Sequence, residues 1–184
     1  MVDRKNVLTW LRSLSRTGKT ATALYGSIVT QARDRAIYVR GGVPDTMEGR
    51  FGVIVVHMFL ILERIRGEGA KGDGMARALL EAFMTDMDDS MREIGIGDMA
   101  VPRRVKKVAA ALHEQIECYR AAIVETSGTA LRAAIERHAL LGSGGGDAPL
   151  LAGYIRRAQE SLAKQSWTDV REGRVIFPSF SVDS

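Results

Sequence analysis

The sequence predicts an all-α fold: a single-domain bundle of six or seven helices with an extended C-terminal strap. Three observations carry that prediction. Alanine, leucine, methionine and arginine are plentiful while aromatics make up only 6% of the chain, a mixture that favours helix over sheet. The block Val53 to Leu62 (VIVVHMFLIL) holds one polar side chain, His57, so a helix built on it is apolar on every face and needs neighbours all round. The third signal is the run Met75, Leu79, Phe83, Met87, Met91 and Ile94, which steps by four or three, with Ala76, Leu80 and Met84 widening the stripe. At 184 residues the chain is long enough for one well-covered core and short for two domains.

The elements follow in order. Residues 1–19 read as a basic N-terminal segment with a short amphipathic helix, Val7 to Leu14. Residues 20–166 read as the helical domain and 167–184 as an extended tail. A second helix fits Thr20 to Arg33 through Ala23, Leu24, Ile28, Val29 and Ala32. Asp34 to Pro44 reads as an irregular connector ended by Gly41-Gly42 and Pro44. Asp45 then suits an N-cap, with Glu48 completing a capping-box pattern. The all-apolar block follows and ends at Glu63-Arg64-Ile65-Arg66, well short of the roughly 20 apolar residues a membrane span needs. The striped helix covers Asp73 to Ile94, and Gly95 and Gly97 stop it. Pro102 suits a first helical turn, opening a helix through Val101, Val105, Val108, Leu112, Tyr119 and Ile123. Another fits Ala130 to Leu141. Gly142 to Gly146 reads as a flexible link, and a last helix runs from Pro149 to Gln165. Beyond it Val175-Ile176-Phe177-Pro178 breaks the helical period as a strap.

Several chemistries are excluded or weakened at once. The single cysteine, Cys118, allows no internal disulfide and no cysteine-cluster zinc site, and it has no activating neighbour in sequence. The first residues lack an apolar signal core, so the expected location is cytoplasmic. Gly18-Lys19-Thr20 resembles the end of a phosphate-binding loop, but the glycine required five residues earlier is Ser13. Asp86 and Asp89 share a helix face and Asp88 does not, and no calcium-loop glycine or glutamate follows. They read as solvated or arginine-paired carboxylates. His57, set among apolar residues, reads as a hydrogen-bonded core histidine. No serine stands in a nucleophile elbow. Charge is the positive clue. Residues 1–40 hold eight Lys/Arg against Asp3 and Asp34, a local +6 in a chain of net +4. A basic front suits anionic lipid, RNA or an acidic protein.

An ordered series of short matches resembles the ubiquinol–cytochrome c reductase chaperone family. Leu24-Tyr25-Gly26 with Gln31-Ala32-Arg33 comes first, then Gly42-Val43-Pro44-Asp45-Thr46 with Gly49-Arg50-Phe51 and His57. A second block is Asp86-Met87-Asp88, Arg92-Glu93, Gly95-Ile96-Gly97-Asp98 and Arg104-Val105-Lys106-Lys107. Tyr154-Ile155-Arg156-Arg157 and Gly173-Arg174-Val175 close the series. The resemblance spans about Ala21 to Phe180 and has the look of a bacterial relative. It departs from the family at Gly52, where an acidic residue is expected after Gly49-Arg50-Phe51, and in the glycine-rich insert at 142–146.

The resemblance implies assembly work on respiratory complex III, with no catalysis and no cofactor. Its expected partners are nascent cytochrome b, the ribosome near its exit, a small partner protein, and the inner membrane as a peripheral contact on its cytoplasmic face. Holding a client's transmembrane segments needs adaptable apolar surface, which methionine's unbranched polarizable chain suits. Met58, Met75, Met84, Met87 and Met91 are therefore candidate partner-binding residues, with a core role the competing reading. Arg103, Arg104, Lys106 and Lys107 are candidates for ribosomal RNA or anionic-surface contact, with a solvated face as the competitor. The alternative function is a basic helical adaptor on RNA or anionic membrane with no client-folding role. An enzyme using His57 with nearby carboxylates is a third, and it requires His57 to meet a carboxylate in a closed pocket.

Overall fold

The computed structural model describes residues 4–93, 95 and 100–180, with side chains described from residue 17 onward. Eight helices and no strand occur among them: α1 Arg4–Ala32, α2 Arg35–Val39, α3 Met47–Ile65, α4 Gly69–Glu93, α5 Val101–Ile123, α6 Thr129–His138, α7 Ala148–Lys164 and α8 Trp167–Val170. The predicted all-α class holds, and the difference in helix number has local causes. The two helices expected over Val7 to Leu14 and Thr20 to Arg33 are one 29-residue helix. Gly18 marks the expected break, but a lone glycine costs a helix only about 1 kcal/mol and no proline accompanies it. Two single-turn elements, α2 and α8, fall where a connector and a tail were expected. Each is started by a side-chain cap: the Asp34 carboxylate accepts from the Ala36 N–H and the Ser166 hydroxyl from the Asp169 N–H.

Helix α3 is the axle of the bundle, packing against α1, α4, α5 and α7. From Gly52 to Leu62 only Ile54 escapes full burial, as an all-round apolar helix requires. Its N-cap is Thr46 rather than Asp45: the Thr46 hydroxyl accepts from the Gly49 N–H at 3.2 Å. Asp45 instead pairs with Arg50 at 2.6 Å. With Thr46 as cap the third helical residue is Gly49, so the reciprocal half of a capping box is absent. Arg64 in the last turn of α3 forks outward. It donates to the Leu162 carbonyl at 3.0 Å, to the Gln165 carbonyl at 2.8 Å and to Glu68 at 2.9 Å, clamping the end of α7, where the Leu162 carbonyl also takes the Gln165 N–H at 3.1 Å.

Helix α4 begins at Gly69, four residues earlier than the stripe suggested, and packs chiefly on α1. Gly95 follows it in a left-handed conformation (φ 81°), while Gly97 lies outside the described residues. Gly142 to Gly146 is more than a link. A Cβ on Gly42 would meet the Gly146 Cα at 2.6 Å, and the Asp147 N–H donates to the Gly41 carbonyl at 2.9 Å. The two glycine pairs form a joint that holds the start of α7 against the α2–α3 connector. The strap is held twice. The Gln165 side-chain amide donates to the Ile176 carbonyl at 2.6 Å and accepts from the Ile176 N–H at 3.0 Å. Phe180 is buried against Tyr154, ring centroids 5.2 Å apart.

Candidate functional site

The predicted apolar residues do not form one surface. Met58 is fully enclosed and Met75 nearly so, because both lie on core-facing positions; in this conformation neither is open to a partner. Met84, Met87 and Met91 are half-buried, and the first two face different recesses. Three residues apart on a helix they are only about 60° apart, but that angle straddles a ridge of α4.

Met84 lines a groove of ≈ 460 Å³ between α4 and α5, floored by the end of α3. Its walls are Ala76, Leu80 and Met84 from α4 and Ala109, Leu112 and Ile116 from α5, with Leu62 and Ile65 below. The rim is charged: Arg66, Asp73, His113, Glu117 and Arg120. Arg120 ties one end together, donating to Glu63 at 2.7 Å and also pairing with Glu117, while Arg66 reaches Glu63 at 3.4 Å. Apart from Met84, these apolar lining residues were not among the predicted site residues. Their signal was two apolar stripes on consecutive helices that are each wider than a single packing seam. Methionine content pointed only to one corner.

Met87 lines a second, larger cleft of ≈ 860 Å³ bounded by α1, α2, the start of α3 and α4. Arg33, Arg35 and Arg50 stand around it with Asp45 and Asp86. The Tyr25 hydroxyl donates to Asp86 at 2.7 Å; burial first, and that carboxylate second, hold the phenol well above its usual range. Asp88 pairs with Arg92 at 2.7 Å, so two members of the acidic run are engaged by side chains of this protein.

The four predicted cations Arg103, Arg104, Lys106 and Lys107 are all exposed along the first turns of α5. None of their side chains makes a hydrogen bond or ion pair among the described residues. The same helix thus carries a free basic strip at its beginning and a groove wall further along.

His57 is enclosed in the core. It donates from Nδ1 to the Val53 carbonyl at 2.8 Å and accepts at Nε2 from the Tyr154 hydroxyl at 2.8 Å, the only roles a carbonyl acceptor leaves it. Phe177 of the strap meets its ring edge-on at 5.0 Å. Burial pushes its pKa down to about 4, so it is neutral. Neither partner is a carboxylate, and the geometry the enzyme reading requires does not occur. Gly18, Lys19 and Thr20 lie inside α1, where backbone N–H groups serve the helix; the Thr20 hydroxyl donates to the Arg171 carbonyl at 3.1 Å.

Comparison with known proteins agrees with this architecture. The model of the family described as ubiquinol-cytochrome C chaperone matches residues 39–177. The crystal structure of the Cbp3 homolog from Brucella abortus is 30% identical, covers 95% of this chain and 97% of its own, and superposes with a TM-score of 0.81. No curated protein matches the chain. With most of its length inside the family model and nearly all of it on the solved fold, the chain belongs to the ubiquinol–cytochrome c chaperone family.

Proposed function

We propose that the protein is a non-catalytic assembly chaperone that holds newly made cytochrome b while complex III is built, and that the α4–α5 groove takes the client. Family membership supports the process; the observation that carries the client reading is the open apolar groove with its charged rim. Its volume suits a few anchoring side chains rather than a whole transmembrane helix, in the manner of a helix laid over a groove. About three anchors, each worth roughly 1.5–3 kcal/mol when buried, amount to some 5–9 kcal/mol. That is comparable with the freedom lost on association, so holding is weak and reversible. Release then needs no nucleotide. It follows when the client's own helices pack together.

The basic strip of α5 supports a place near the ribosome or an anionic surface, and a small partner protein completes the proposed setting. No helix among the described residues is long and apolar enough to cross a membrane; contact with the inner membrane is proposed as peripheral, from the cytoplasm. The unpaired cations also favour the second reading, a basic adaptor on RNA or anionic lipid without a client.

The test is recovery of co-purifying proteins with the tagged chain from its host in mild detergent. The chaperone reading expects cytochrome b, lost when Leu80 or Met84 is changed to glutamate. Ribosomal proteins should be lost when Arg103, Arg104, Lys106 and Lys107 become glutamate. RNA or lipid recovered without cytochrome b sinks the client reading and favours the adaptor. For RNA held by four phosphate contacts, the log–log salt slope should be about −3.

A further inference from the structure

The cleft between α1, α2, α3 and α4 is separated from the client groove by α4, and its chemistry is different. Both of its carboxylates are already engaged, Asp45 by Arg50 at 2.6 Å and Asp86 by the Tyr25 hydroxyl at 2.7 Å. Arg33 and Arg35 are exposed on its wall and make no ion pair among the described residues. With Arg50, three guanidinium groups line the cleft against two carboxylates, so its net charge is positive. Its apolar surface is unusually open. Val39 is 66% exposed on the cleft wall, and Met47 is 69% exposed at the start of α3. Met47, Arg50 and Ile54 fall at i, i+3 and i+7, one face of a helix, so Met47 extends the surface that Arg50 and Ile54 contribute to the cleft. Met87 supplies an adaptable floor.

We infer that this cleft is a docking site for an acidic amphipathic segment of a partner protein. Its apolar side chains would cover Val39, Met47 and Met87, and its carboxylates would fork onto Arg33 and Arg35. Guanidinium groups donate two parallel hydrogen bonds to a carboxylate, which gives both energy and register. Charge complementarity selects this occupant. A polyanion such as RNA gains little from an apolar floor and meets Asp45 and Asp86, whereas a protein segment can match both. A purely apolar client segment would leave the two arginines facing nothing. The site is independent of the client reading, since it shares no lining residue with the α4–α5 groove.

The experiment uses the intact chain and two labelled peptides of one helical pattern, with leucines on one face and either glutamates or lysines on the other. Fluorescence polarisation should show the glutamate peptide binding at least tenfold more tightly than its lysine twin, a gap of about 1.4 kcal/mol. Arg33→Glu with Arg35→Glu should weaken the glutamate peptide tenfold or more and bring the lysine peptide level with it. Amide shift perturbations should fall on residues 35–54 and around Met87, not on α5. Because both arginines are exposed, these variants should melt with the parent; should they not, Val39→Asp gives the same reading through the apolar half. Equal binding of the two peptides overturns the proposal, as does no binding at about millimolar peptide, or perturbations confined to the α4–α5 groove.

Discussion

Gly52 offers a test of the packing with an internal control. It lies within α3 where the end of α6 crosses; a Cβ added there would sit 2.2 Å from the His138 carbonyl oxygen and 3.1 Å from the Ala139 Cα. Real Cβ contacts essentially never fall under 3.0 Å, so the two segments must part by about 1 Å. Gly74, inside α4, has nothing within 4 Å of the same hypothetical atom. Alanine improves a helix interior by about 1 kcal/mol over glycine at either place. At Gly52 that gain is opposed by overpacking of about 2–3 kcal/mol, the upper part of the usual range because the clash is with backbone, and displacing α6 also disturbs the Tyr119–His138 ring contact at 6.1 Å. Gly52→Ala should therefore destabilise by about 1–2 kcal/mol, a fall in Tm of roughly 2–8 °C for a chain of this size. Gly74→Ala should raise Tm by a few degrees. Gly52→Asp should fare far worse, since it buries a carboxylate against a carbonyl oxygen. Thermal melts by circular dichroism decide the matter. A Gly52→Ala protein as stable as its parent would show that α3 and α6 do not meet as described. The same contact leaves no room in this chain for the acidic side chain that the resemblance led one to expect at this position.

Acid should weaken the fold through His57. The unfolded imidazole takes a proton near 6.5 and the folded one only near 4, so protons favour the unfolded chain. Stability from this source is complete above about pH 6.5. It falls by about 2 kcal/mol at pH 5 and about 3 kcal/mol by pH 4. Urea melts of the parent and of His57→Gln across that range should diverge in slope; parallel curves would refute the assignment. Arg64→Ala should cost about 1.5–3 kcal/mol by removing the charged hydrogen bonds to the Leu162 and Gln165 carbonyls, and Arg64→Lys should recover less than half, because an ammonium cannot span three acceptors. Loss of Gln165 in Gln165→Ala should speed amide exchange at Ile176 and proteolysis of the strap while leaving Tm nearly unchanged, because both bonds are exposed. Removing the Arg120 side chain in Arg120→Ala should lower stability by about 1 kcal/mol and loosen the charged end of the client groove, read as faster exchange near Glu63.

Periodicity and composition carried the helical class, the central burial of α3 and the placing of the later helices, because those depend on where apolar residues recur. They failed where a local competitor was weak. The pattern read as two helices, Val7 to Leu14 and Thr20 to Arg33, yet the one glycine between them is a small penalty against the remaining turns of α1. Asp45 and Thr46 are both good caps, and nothing in their spacing shows that Arg50 would claim Asp45 and leave the cap to Thr46. His57 was readable as a core histidine from its surroundings, but its partner Tyr154 lies 97 residues away, a pairing no local pattern contains. The glycine run at 142–146 looked like a link because glycine marks both freedom and close approach, and only the opposing Gly41-Gly42 pair distinguishes them.

The site shows the same limit more sharply, and α4 is where it arises. An apolar stripe wider than one seam says that a helix touches more than one neighbour, without saying which neighbours leave a gap. In α4 the stripe from Met75 to Met91 is divided by packing into three fates. Met75 joins the core, Met84 the groove shared with α5, and Met87 the cleft shared with α1, α2 and α3. A single helix is thus a wall of two recesses with unlike rims: on the α5 side Glu63, Glu117 and Arg120 form a closed network of pairs, while on the other Arg33 and Arg35 stand unpaired. A segment that binds by apolar area alone loses nothing to the first rim and leaves the second unmatched; one carrying carboxylates gains at the second. Substituting Met84 and Met87 separately should then affect different ligands, a separation that a single continuous methionine surface would not allow.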